Sequence, residues 1–125
     1  MALGAYAAHF LGPDLLERGL SVELVAKKLN TADIAVRYHL IHAVALLALA
    51  APAATVAPKR RAAAAVFFLL GLAMFCGILY AQSIGGLVGL NVVVPLGGLS
   101  FIIGWLLTAT AALGRSPSAL SAPPR

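Results

Sequence analysis

The sequence predicts an all-α membrane protein: a multi-pass transmembrane helical bundle of four segments, with the first helix truncated. Three observations carry that prediction. Hydrophobic residues make up 62% of the 125 and charged residues 10%, with mean hydropathy +0.98. A soluble domain is about half apolar and about a quarter charged. No charged residue occurs from Ala62 to Gly114, and basic residues bracket that stretch, with Lys59, Arg60 and Arg61 before it and Arg115 after it. A water-soluble fold of this size cannot hide so much apolar surface, so lipid is the solvent for much of it.

The elements follow in order along a single membrane domain, residues 1–114. Residues 1–11 form an apolar run that reaches about 16 Å as a helix, against a hydrocarbon core of about 30 Å. It reads as the second half of a transmembrane helix. It lacks the basic start and cleavage site of a signal peptide. Gly12 and Pro13 are expected to stop it. Residues 14–30 carry balanced charges, with Leu20, Leu24, Val25 and Leu29 on one helical face. This pattern predicts an amphipathic segment at the membrane interface, with a plain solvated loop helix as the alternative reading. Thr31 is the expected N-cap of the second membrane helix, residues 31–54, with Asp33 in its first turn. Pro52 bends that helix and Pro58 ends it.

The third helix is expected over 62–84. Gly85, Gly86, Gly89 and Asn91 make the connection that follows, and the fourth helix spans 95–113, opening on Pro95. The tail, residues 115–125, is rich in Pro and Ser and is expected to be disordered. The Lys59–Arg61 turn and the tail share one side of the membrane and hold five of the nine Lys and Arg without an acid. Basic residues mark the cytoplasmic side, which places that turn and the C-terminus in the cytoplasm.

Lipid supplies no hydrophobic drive between helices, so small residues that admit close approach mark the seams. Ala73, Gly77 and Ala81 form one such stripe. Ser100, Gly104 and Thr108 form another, with Gly97 one turn earlier. The two stripes predict a seam between the third and fourth helices.

No catalytic residue and no cofactor site is read from the chain. A phosphate-cradling loop, an H-E-x-x-H and a nucleophile elbow are all missing. Cys76 sits in an apolar segment and reads as inert. Nucleic-acid binding would need a basic face on a soluble surface. The polar residues His9, His39, His42, Gln82 and Asn91, with Tyr6, Tyr38 and Tyr80, fall toward the non-cytoplasmic side. The favoured reading is an interfacial layer. One alternative makes His39 and His42, three apart, with His9, metal ligands. The other makes them a proton or ion path in a transporter or channel subunit.

The segments "GAYAAHFL", "YHLIHAVALL", "GLAMFCGILY" and "VPLGGLSFIIGWLL" resemble, in order and spacing, the YgdD-like family of small four-helix inner-membrane proteins, a UPF0382-type domain of unknown function. The resemblance covers residues 3–114. It implies a plasma (inner) membrane location, cytoplasmic termini and a longer N-terminus, and it transfers no catalytic residue. The functional expectation is therefore a non-enzymatic membrane protein that packs with itself or with partner proteins in the lipid bilayer.

Overall fold

The computed structural model describes residues 2–51, 57–85, 89–90 and 92–113. Its elements are helical: α1 (Ala2–His9), α2 (Leu11–Glu17), α3 (Val22–Ala50), α4 (Pro58–Gly71), a π-helical turn (Leu72–Gly77), α5 (Ile78–Gly85) and α6 (Val93–Leu113). Three helical runs are long and apolar enough to cross a membrane: Val22–Ala50, Pro58–Gly85 and Val93–Leu113. The chain is an all-α membrane protein, as its composition predicts. Pro52, Gly86, Asn91, Arg115 and the tail 115–125 lie outside the described residues, and so do the expectations placed on them.

Gly12 and Pro13 do not stop the first helix where expected. Pro13 has no N–H to give the His9 carbonyl, so the α-helical run pauses at Phe10 and restarts with Pro13 in the first turn of α2. The real stop is Gly19, whose φ of +80° suits a residue without a Cβ. There Leu20 N–H bonds the Leu15 carbonyl at 3.2 Å and Gly19 N–H the Leu16 carbonyl at 2.9 Å. This is the paired-bond C-cap that turns a helix end sharply. Leu20 then packs with Leu11, Leu15, Val25 and Ala32, which seals α1 and α2 onto α3.

The break expected between residues 30 and 31 is absent. Ser21, not Thr31, is the N-cap: its hydroxyl accepts from Leu24 N–H at 3.3 Å, with Glu23 in the first turn. Thr31 sits inside α3 and bonds back to the Lys27 carbonyl at 3.0 Å. No Gly or Pro interrupts residues 22–50, so one helix of 29 residues forms, about 43 Å long. Its buried residues are Val25, Ala32, Ala35, His42 and Ala45. They recur at intervals of seven, three, seven and three, the signature of one helix face.

The expected third helix starts earlier, with Pro58 at its first position, and the fourth starts at Val93. Their seam is the most extensive helix pairing in the molecule, but the expected stripes do not both build it. Gly104 lies under the Phe68 ring and Gly71 under the Phe101 ring, where an added Cβ would stand 2.5 Å from ring carbons. Gly97 lies against the Phe75 backbone nitrogen, 2.6 Å from where a Cβ would be. Ala73 and Gly77 are exposed and Ala81 is half-buried. Ala73 follows the buried Gly71 by two residues, about 200° around the helix, so the stripe it heads points away from the seam. Ser100 and Thr108 hydroxyls bond the Leu96 and Gly104 carbonyls of their own helix at 3.1 and 2.8 Å.

Candidate functional site

The polar centre of the molecule is His42. It is 3% exposed and sits on the inner face of α3. It lies eight residues before the end of α3, about 12 Å in from that end. Trp105 lies eight residues before the end of α6, at matching depth. His42 is therefore buried within the bundle, well along α3 and not at the helix head expected for it.

Aromatic rings enclose it. Phe101 stacks on the imidazole at 3.6 Å between centroids and 15° between planes. Phe68 meets it edge-on at 5.3 Å, and Tyr38 stacks at 6.2 Å. Phe68 also meets Trp105 at 5.3 Å. Both ring nitrogens have partners. Nδ1 is 2.8 Å from the Tyr38 carbonyl, and Trp105 Nε1–H donates to Nε2 at 3.3 Å.

Those partners assign the proton. A carbonyl only accepts and an indole N–H only donates. Nδ1 must carry the hydrogen and Nε2 must be bare. The two bonds demand the same neutral tautomer, and together they satisfy a polar side chain that burial would otherwise penalise. Protonation would place a second N–H against the indole N–H. The imidazole thus acts as a joint: α3 supplies it, α6 stacks on it and donates to it, and α4 flanks it through Phe68.

The other histidines go elsewhere. His39, half-buried, faces Tyr80, whose hydroxyl is 3.4 Å from Nδ1. His9 is exposed on α1. His39 and His42, three apart, therefore turn to different neighbours, and among the described residues no group of three His, Cys, Asp or Glu could hold a metal ion. Cys76 is free and buried among Phe68, Phe101 and Ala45.

Basic side chains close the helix ends, where carbonyls have no partner in their own helix. Arg60 donates to the Thr110 carbonyl near the end of α6 at 3.3 Å. Arg61 donates to the Ala51 carbonyl at the end of α3 at 3.4 Å. Lys59 is exposed. At the opposite end of the bundle, Lys28 Nζ reaches the Gln82 and Ser83 carbonyls at 2.7 and 3.2 Å, near the end of α5. A cation suits a helix C-terminus. Two of the four basic residues expected only to orient the chain, Arg60 and Arg61, therefore also tie α4 to its neighbours.

Reading the sequence element by element missed the pairing of His42 with Trp105 and Phe101 and the roles of Phe68 and Lys28. For His42 a signal existed. It falls seven residues after Ala35 and three before Ala45, on the small-residue face of α3. Nothing in the sequence pairs it with Trp105, 63 positions away.

A sequence profile described as "Protein of unknown function (DUF423)" matches residues 3–98. The UPF0382 membrane protein of Haemophilus influenzae is 35% identical over 109 residues, which are 87% of this chain and 80% of that protein. The UPF0382 membrane protein YwdK of Bacillus subtilis is 31% identical over 114 residues, 90% of this chain and 85% of that protein. The UPF0382 inner membrane protein YgdD of Escherichia coli is 32% identical over 118 residues, 90% and 79% of the two chains. No solved structure matches.

Proposed function

The chain belongs to the DUF423 family of UPF0382 membrane proteins, and from that premise we propose that it is a non-enzymatic inner-membrane protein that works by packing with copies of itself or with partner membrane proteins. One observation supports this reading above the others: the most buried ionisable ring is spent on holding helices together. Both nitrogens of His42 are engaged by Tyr38 and Trp105. The hydroxyls of Ser83 and Thr108 turn back on their own helices and donate to the Tyr80 and Gly104 carbonyls. A proton carrier needs a nitrogen free to exchange, and a general base needs one aimed at a substrate. The Lys59–Arg61 end and the C-terminus face the cytoplasm in this proposal, following the excess of basic residues there.

Native mass spectrometry of the full chain, released from detergent micelles, tests the proposal. A species carrying a second copy or a membrane protein co-purified from the native membrane is expected. A bare monomer at every protein concentration, joined by proton flux in reconstituted vesicles that His42→Gln abolishes, would overturn it in favour of a proton path.

A further inference from the structure

We propose that the groove between α3 and α6 is a binding site for one anionic phospholipid, with an acyl chain in the groove and the headgroup phosphate at Arg61. The proposal rests on the chain's membrane embedding and is independent of any protein partner.

The groove encloses about 660 Å³, and nearly all of its wall is apolar. Leu40, Val44 and Ala48 of α3 form one side, Trp105 and Ala112 of α6 the other, and Arg61 lines one end. Leu40, Val44 and Trp105 are exposed, so the groove faces outward, where lipid lies. Along α3 it runs from Leu40 to Leu49, a rise of about 14 Å. One leaflet of the hydrocarbon core is about 15 Å deep. The slot thus has the length, the outward opening and the apolar walls of an acyl-chain site.

Arg61 supplies the charge. It sits in the first turn of α4, beside the end of α3, at the rim of the apolar layer. A guanidinium has five N–H donors. Arg61 gives one from Nη2 to the Ala51 carbonyl, while its Nε is buried with no hydrogen-bond partner among the described residues. Nε is too buried for a ligand to reach, but the Nη1 donor of the same guanidinium has no partner among the described residues and stands at the end of an apolar slot, where a phosphate oxygen matches it. An uncharged lipid would fill the slot and leave that donor unmatched. A zwitterionic headgroup would bring a cation beside Arg60 and Lys59.

The test is native mass spectrometry of the full chain in detergent, titrated with dioleoyl phosphatidylglycerol or with dioleoyl phosphatidylcholine. One phosphatidylglycerol should be retained per chain, about fivefold tighter than phosphatidylcholine, the gain expected from one basic residue at a membrane surface. Arg61→Gln should remove that preference. Lys59→Gln, which leaves the groove intact, should keep most of it. Ala48→Leu, which narrows the slot without touching charge, should weaken retention of both lipids, and it carries the test if Arg61→Gln does not fold. Equal retention of the two lipids by the unmodified chain would overturn the proposal. So would a loss in Lys59→Gln as large as in Arg61→Gln, which would trace the effect to surface charge. Displacement by inorganic phosphate alone would assign the site to the free anion and also overturn it.

Discussion

The two faces of α6 meet their neighbours in opposite ways. Toward α4 and the π turn that continues it, backbones come close: Gly104 under Phe68, Gly71 under Phe101, and Gly97 against Phe75. Toward α3, an imidazole and an indole bridge the space, and a groove of about 660 Å³ runs beside them. The difference lies in glycine. The α4–α6 pair has it on both sides of the seam, whereas α3 has none in its 29 residues. Without a hydrophobic drive, helices in lipid associate where their backbones can approach. Where they cannot, a polar joint must do the work, and the space left beside it is open to lipid.

The sharpest way to break this contrast is Gly104→Leu. A side chain there meets the Phe68 ring at once, and overpacking of that kind costs about 1–3 kcal/mol, or more when rings cannot move. Denaturant titration in micelles should show a loss at the upper end of that range or beyond it, because a Cβ alone would stand 2.5 Å from the ring. An unchanged midpoint would mean that the glycine seam is misplaced. His42→Ala attacks the other face. It opens a cavity and strands the Trp105 N–H, together worth about 2–4 kcal/mol. Trp105→Phe should cost less, because it removes the donor and leaves the stack. In the unmodified protein, nitrogen NMR of His42 should show a neutral ring protonated at Nδ1, and a resonance protonated at Nε2 would rule out the joint as described. The smallest effect belongs to Ala73→Leu, on the exposed stripe, where a change within about 0.5 kcal/mol is expected. A loss comparable to that of Gly104→Leu would restore the seam expected from small-residue spacing.

Some of this architecture is legible in residue order. The charge-free stretch and its basic borders call for membrane helices, and Pro58 marks where one begins. Gly97 and Gly104 declare a close approach on α6. The expected break at Thr31 failed because a β-branched residue inside a helix can satisfy its hydroxyl on the turn behind it, so a capping residue type is no proof of a cap. Ala73, Gly77 and Ala81 misled because small-residue spacing marks a stripe without saying which way it faces: Ala73 stands two residues past the buried Gly71, on the opposite side of the helix.

By itself, then, the sequence determined the solvent, the helical class and the family, because each depends on composition and local order summed along the chain. Tertiary structure alone decided which face each helix buries, that His42 meets Trp105 and Phe101, and that Lys28, Arg60 and Arg61 reach carbonyls of other helices. Those choices join residues up to 63 positions apart, and they are set by which backbones can come close, a property of pairs of helices that neither helix carries alone.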